Sequence, residues 1–258
     1  MAYPDQARGV FAAVEDGSFW FEHRNQVLAS LLQCFPPPGR LFDVGGGNGY
    51  QARFFEGLGL STALVEPGAE GCVIARRRGV DWVIQGHWQD LGFGPETVGA
   101  VGLFDVLEHL EDPGTLVQAA VDALIPGGRL YATVPAHPWL WSDEDEIAQH
   151  QRRYRRGEFE QLLASRGLEL EWSSACFGAL VGPIWVGRSL PSRWRRARGG
   201  ALPAEADAAR TRQDHHATGW ARRWVDRRLA GERKQIAAGR APRWGSSWVA
   251  VARRPPRG

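Results

Sequence analysis

The sequence predicts an α/β chain whose parallel sheet is covered by helices on both faces, and three observations predict it. Short apolar runs alternate with helix-like stretches from residue 41 to residue 135, the period of successive strand–helix–strand units. The run Val98–Phe104 is almost wholly apolar, as a strand covered on both sides should be. The first run, Leu41-Phe-Asp-Val44, stops abruptly at Gly45-Gly-Gly-Asn-Gly49. That pattern is a strand entering a tight turn ahead of a helix.

Taken in order, residues 5–35 read as a helical cap, with Phe19-Trp-Phe21 followed by Val27, Leu28, Leu31 and Leu32 at helix spacing. Pro36-Pro-Pro-Gly39 ends it and delivers the chain to the first strand. A second strand runs to Glu66, a helix covers 69–78, and a third strand covers 80–84. A loop over 86–94 leads to the fourth strand at 98–104. Asp112-Pro-Gly-Thr115 starts a helix that continues to about residue 124. Pro126-Gly-Gly128 breaks it before a fifth strand over 129–135. Residues 158–164 read as a helix, 168–173 as a sixth strand, and 245–253 as a closing strand. Between the last two lies an insertion, roughly residues 175–243. It begins with an apolar, glycine-containing stretch (177–190) and passes through an Arg-, Ala- and Gly-rich stretch (191–212) expected to be mobile. It ends in a charged helix over 217–238 with Trp220, Trp224, Val225 and Leu229 as its expected buried stripe. The expectation is one domain over 1–258: a cap to residue 38, a core over 39–174, the insertion, and a closing strand and tail from 244.

Composition fits a soluble globular protein, with 43% hydrophobic and 23% charged residues. Cys34, Cys72 and Cys176 have neither metal-ligand spacing nor a disulfide framework, which points to a reducing, cytoplasmic setting. No secretion signal opens the sequence and no apolar run reaches the length of a membrane span. Charge is divided unevenly: residues 1–175 carry a net −11, whereas 176–258 carry 17 Arg and one Lys against 5 acidic residues. A basic segment of this size suits an anionic partner, whether phosphorylated substrate, nucleic acid or anionic lipid. An arginine-rich coding bias explains it equally well, because the whole chain has a single lysine, Lys234.

The glycine turn carries the chemistry. Glycine adopts positive φ and has no Cβ, so a ligand can approach the backbone closely near a helix N-terminus. Glu66, about 20 residues beyond the turn at the tip of the next strand, is placed to accept hydrogen bonds from a ribose. A dinucleotide fingerprint, G-x-G-x-x-G, would need glycine where Tyr50 stands. The spacing is instead G-x-G-x-G, at Gly45, Gly47 and Gly49.

That pattern after Asp43 resembles motif I of class I S-adenosylmethionine-dependent methyltransferases. The resemblance extends over Val101-Gly-Leu-Phe-Asp-Val-Leu-Glu-His-Leu-Glu-Asp-Pro113, Ile125-Pro-Gly-Gly-Arg129 and Val134-Pro-Ala-His137, and is similar to the ubiquinone-biosynthesis group. Trp139-Leu-Trp-Ser-Asp-Glu-Asp145 and His150-Gln-Arg-Arg-Tyr154, with Gly231-Glu-Arg233 ahead of Trp244-Gly-Ser-Ser247, resemble a bacterial branch associated with glycan and specialised-metabolite synthesis.

The resemblance implies a Rossmann-like sheet of seven strands with the last antiparallel, and S-adenosylmethionine as cofactor. Its methionine part would lie against Asp43, Gly45, Gly46, Gly47, Gly49 and the backbone at Phe104 and Asp105, near His109. The ribose would lie on Glu66 beside Pro67, and the adenine beside His87 and Trp88. His87 stands where the family usually has aspartate, and Gly99 replaces the usual aspartate early in strand four. The candidate bases are His137, His150 and His109, since only histidine has an unperturbed pKa near neutrality. Phe19, Trp20, Trp139, Trp141, Arg153 and Tyr154 are the candidate acceptor contacts. Asp105, Glu108 and His109 match an acidic-x-x-Glu-His set that binds a divalent cation in some relatives, but the expectation is no metal.

The Asn/Asp-Pro-Pro-aromatic motif of many nucleic-acid amino-methyltransferases is absent after strand four, which argues against a DNA base as acceptor. The acceptor expected is a small molecule, sugar-containing or anionic, with the insertion as its lid. The alternatives are a lipid-linked intermediate met by peripheral membrane contact, and a non-catalytic cofactor-binding regulator.

Overall fold

A computed structural model describes residues 18–199 and 219–257. Seven strands form one sheet: β1 (Leu41–Val44), β2 (Thr62–Glu66), β3 (Val83–Gln85), β4 (Val98–Phe104), β5 (Leu124–Pro135), β6 (Glu169–Cys176) and β7 (Ser247–Arg253). Their order is β3-β2-β1-β4-β5-β7-β6. β1 to β5 are parallel, and β7 inserts antiparallel between β5 and β6. The helices are α1 (Phe19–Cys34), α2 (Tyr50–Gly57), α3 (Ala69–Arg77), α4 (Pro113–Ala123), α5 (Asp143–Ile147), α6 (Arg156–Ala164), α7 (Val181–Ile184), α8 (Leu190–Ala197) and α9 (Gly219–Ala237). This is the doubly wound, Rossmann-like arrangement that the sequence predicts.

Successive strand residues point to opposite faces, so each central strand feeds two cores. Leu130, Ala132 and Val134 of β5, with Trp248, Ala250 and Ala252 of β7, join Val117 and Ala120 of α4 and Phe159 of α6 on one face. Tyr131, Val249 and Val251 point the other way, against Leu28 and Leu31 of α1 and Leu229 and Ile236 of α9. β4 matches its expected bounds, and its glycine has a packing reason. A Cβ on Gly99 would stand 2.1 Å from the carbonyl oxygen of Pro38, so the backbone leaves no room there for the family's aspartate. Asp112 caps α4 as expected, accepting from the Gly114 N–H at 3.0 Å.

Several boundaries differ. β3 starts at Val83 rather than Val80, because Val80 turns into a small cluster with Ala52, Leu64 and Ala75. β5 begins at Leu124, earlier than the Pro-Gly-Gly break suggested, and β6 runs on to Cys176. The stretch 191–197 is helical rather than loose, its inner edge held by ion pairs of Arg195 and Arg196 with Asp143 and Glu146; residues 200–212 lie outside the described residues. So does the cap before residue 18, as well as the side chain of Trp220. In α9 the buried stripe is Val225, Leu229, Glu232 and Ile236, while Trp224 is 45% exposed.

α9 returns across the sheet to pack on α1, and Glu232 makes the joint. Its carboxylate accepts from the backbone N–H of Phe177 (2.7 Å) and Gly178 (2.8 Å) and from His23 Nε2 (2.9 Å). Arg233 in turn donates to His23 Nδ1 at 3.3 Å. The insertion therefore clamps the cap helix to the exit of β6.

Candidate active site

The strand order reverses between β1 and β4, and the crevice above their C-terminal ends is the usual ligand position in open α/β sheets. The glycine turn forms one wall. Gly45, Gly47 and Gly49 all have left-handed φ values, 74°, 58° and 71°. A Cβ on Gly45 would press on Val106 at 2.9 Å, and one on Gly49 would meet Ala75 at 2.7 Å, whereas the space beyond Gly47 is open. Two of these glycines serve packing, and Gly47 leaves a cradle.

Glu66 is fully buried and braces that cradle. Its two oxygens accept from the N–H of Gly47 (3.0 Å) and of Gly68 (2.7 Å), tying the first turn to the second strand tip. Beneath the turn lies Asp43, also fully buried, with neither carboxylate oxygen hydrogen-bonded. Burial pushes its pKa up to about 7, against the pull of Arg24 and with a further push from Glu66. A buried carboxylate without a partner is costly unless a ligand cation completes it. The ammonium of a methionine moiety supplies such a cation, so the residues present fit the expected cofactor.

Arg24 closes the crevice from the cap helix, and the sequence reading missed it. Its Nη1 donates to Asp105 Oδ2, its guanidinium faces the Trp20 ring at 4.8 Å, and its Nε is buried without a partner. The other oxygen of Asp105 accepts from Thr133 Oγ1 at 2.9 Å. The only sequence signal was an arginine within an aromatic-rich amphipathic helix. Three non-glycine residues beyond the strand ends hold positive φ: Asp105 (56°) after β4, His137 (60°) after β5 and Phe177 (62°) after β6. Backbone strain of this kind clusters at ligand sites.

Four polar residues meet beyond β4. Glu108 is buried with both oxygens unbonded, and burial, then the charge of Asp105, raises its pKa well above the carboxylate range. His150 brings Nε2 to 3.9 Å from Glu108 Oε1, and its ring lies 4.9 Å from that of His109. Burial, then His150, lowers the His109 pKa to about 4, so His109 is neutral at physiological pH. On its far side, His150 Nδ1 donates to Asp145 Oδ1 at 2.9 Å. Asp145 is 1% exposed and also accepts from Arg153 Nε and the Ser142 N–H. Burial alone would raise its pKa, but the His150 hydrogen bond and the Arg153 charge outweigh it and hold the group below the usual range. Asp145 was not anticipated, because Asp143-Glu-Asp-Glu146 reads as a solvated acidic run.

Glu108, His109 and His150 place three donor atoms within 4.8 Å of one another. The set differs from the sequence's grouping, since Asp105 turns to Arg24 and Thr133 while His150 takes its place.

Other candidates lie elsewhere. Trp88 is 3% exposed, stacked on Phe93 at 4.4 Å and edge-on to Phe42, which puts its ring in the core rather than over an adenine. His87, the residue before it, is exposed at the C-terminal end of β3, and Pro67 follows Glu66 at the rim. Phe104 is buried against Phe55. Gly46 covers Asp43 so tightly that a Cβ would stand 2.4 Å from its oxygen.

Tyr154 is buried, donating to the Leu107 carbonyl, and Arg153 is committed to Asp145 and the Ala136 carbonyl. Both brace the site from within rather than facing a substrate. Trp20 stacks on Phe177 at 5.1 Å, and Phe19 packs beside it on α1. His137 stands apart in an aromatic group with Trp139, Trp244 and Trp248. Burial, then Arg153, lowers its pKa. Trp141 is half-buried, its Nε1 3.4 Å from Glu146.

Residues 20–172 match the model of a methyltransferase domain family, more than half of the chain. A ubiquinone biosynthesis O-methyltransferase of Xylella fastidiosa is 31% identical over 100 residues, covering 36% of this chain and 41% of that protein. Its counterpart in Xanthomonas campestris is 29% identical over 101 residues, covering 37% and 42%. The chain thus matches about two fifths of the length of these curated relatives.

Among solved structures, a methyltransferase of Thermotoga maritima superposes with a TM-score of 0.50 at 25% identity, covering 61% of this chain and 79% of that one. The Haemonchus contortus phosphoethanolamine N-methyltransferase 2 bound to S-adenosylmethionine gives 0.58 at 19% identity, covering 98% and 58%. A structure from the complex of the Haloferax volcanii Trm112 activator with a methyltransferase gives 0.60 at 17% identity, covering 97% of each chain. The sheet order and the family match together define the class: a Rossmann-like methyltransferase domain. The chain belongs to the methyltransferase domain family that its residues 20–172 match.

Proposed function

We propose that the chain methylates a small-molecule hydroxyl or amine whose proton is taken by His150. The observation that carries this reading is the Asp145–His150 pair: with Nδ1–H donated to Asp145, Nε2 is left as the basic nitrogen, and it faces Glu108 and His109. Burial, then the charge of Asp105, shifts Glu108 toward its neutral form, which eases the approach of an acceptor anion. When bound, the cofactor supplies an electrophilic methyl group on a sulfonium. Gly45, Gly46, Gly47 and Gly49 would line its path, Asp43 would hold its ammonium, Arg24 its carboxylate and Glu66 its ribose hydroxyls, with Pro67 and His87 beside the adenine. The cap helix, clamped through Glu232, excludes water, and the described parts of the insertion, 175–199 and 223–243, cover the acceptor.

The acceptor we favour is sugar-containing or anionic. Trp139, with Trp244 stacked on it at 5.9 Å, offers a flat apolar wall for a sugar ring. The net positive charge of 176–258 favours an anion. The three free cysteines support a reducing, cytoplasmic setting. A lipid-linked acceptor is the second reading, favoured by the exposed apolar residues of α8.

A labelled-methyl assay against sugars, sugar phosphates and hydroxylated aromatics tests the acceptor class. Transfer confined to nucleic acid would overturn it. Calorimetry with S-adenosylhomocysteine tests the cofactor contacts: Glu66→Ala should weaken binding by about 1.5–3 kcal/mol. Unchanged affinity would remove Glu66 from the site.

A further inference from the structure

α8 and the turn that leads into it are amphipathic the wrong way round. Helical φ and ψ continue through α7, a π-helical turn at Trp185–Ser189 and α8. α7 buries Val181, but from Ser189 on the face turned to the protein carries small polar residues: Ser189, fully buried, donates to the Leu140 carbonyl, and Ser192, 1% exposed, donates to Asp143. The face turned to solvent carries Val186 (65% exposed), Leu190 (42%) and Trp194 (64%). Their spacing, i, i+4 and i+8, sets them in one row along the rod. Exposed Gly182, Pro183 and Pro191 extend that surface without adding charge. A single exposed tryptophan needs no explanation, but an ordered apolar row opposite a polar buried face does.

Within the segment itself the charges are all of one sign. Residues 181–199 hold five arginines and no acidic residue. Arg188, Arg195 and Arg196 face inward to Glu144, Asp143 and Glu146. Exposed Arg193 and Arg198 have no carboxylate partner among the described residues and lie against tryptophans instead, Arg193 over Trp185 at 4.9 Å and Arg198 over Trp194 at 3.4 Å. Tryptophan and arginine beside an apolar helix face are the composition that settles into the headgroup layer of a bilayer. Among the described residues no helix is long and apolar enough to cross one, so the row would lie on the surface.

We propose that the outer face of residues 181–198 docks on an anionic phospholipid surface, with Val186, Leu190 and Trp194 entering the interface and Arg193 and Arg198 meeting lipid phosphates. Docking takes up the membrane of the second reading above, but it requires no lipid-linked acceptor.

Flotation with vesicles of phosphatidylcholine alone and with one third phosphatidylglycerol tests it. The full chain should partition at least 10-fold more strongly onto the anionic vesicles, and less as salt rises. A Val186→Ser/Trp194→Ser variant should lose at least 10-fold of that partitioning. Its S-adenosylhomocysteine affinity, measured in the same samples, should stay unchanged, since neither side chain reaches the crevice. That control separates failed docking from failed folding or failed cofactor binding. No partitioning at low salt would overturn the proposal, as would partitioning that the variant retains. Sedimentation showing that the row instead mediates self-association, abolished in the same variant, would also overturn it.

Discussion

Replacing Asp43 with asparagine tests the most unusual group in the site. A carboxyl moved from 3.8 to about 7 by burial favours the unfolded chain once that chain can ionise it. The folded-state pKa is raised, so stability is intact below the unfolded value, falls as pH climbs between the two values, and stays lost above about 7. At 1.36 kcal/mol per pH unit, the cost is about 2 kcal/mol at pH 5 and about 4 kcal/mol at pH 8. The amide of the Asp43→Asn variant cannot ionise. Whatever that amide gains or loses in packing under Gly46 is the same at both pH values, so it cancels. Urea unfolding of both proteins at pH 5 and pH 8, without cofactor, should show the variant's relative stability rising by about 2–3 kcal/mol between the two. A difference that does not change with pH would mean Asp43 ionises at its ordinary value, and the argument that it awaits a cation would fail.

Asp145→Asn should lower kcat by about 10- to 100-fold, with cofactor affinity near normal and an altered pH–rate profile, because the His150 tautomer is no longer fixed. An unchanged profile would make Asp145 a structural cap only. Methyl transfer should persist in excess EDTA, since displacement at a sulfonium needs no Lewis acid. Loss restored by Mg²⁺ and absent in Glu108→Gln would show that the Glu108, His109 and His150 donors hold an ion.

Elements with a strong one-dimensional signature were legible. β4 is apolar because both faces are covered, and Asp112-Pro-Gly marks its helix start through local hydrogen bonding. The glycine turn and Glu66 sit at fixed offsets along the chain, so spacing alone finds them. What spacing could not find depends on tertiary approach. Arg24 reaches Asp105 across 81 positions of sequence, and Asp145 looks like one of several solvated acids until His150 and Arg153 converge on it. Trp88 was misjudged because a rim position and a core position look alike in sequence; only the stacking on Phe93 distinguishes them. Residues 191–197 carry no inward apolar stripe to announce a helix, and the helix there is held by ion pairs and serine hydrogen bonds instead.

The carboxylate of Glu232 has a bearing on how the protein is made. The cap helix leaves the ribosome well before its clamp, which lies 209 positions further along the chain than His23. Until then Leu28, Leu31 and Phe177 lack the covering supplied by Leu229 and Ile236. A nascent chain stalled before position 232 would therefore display an open apolar surface of the sort that chaperones hold and proteases clear.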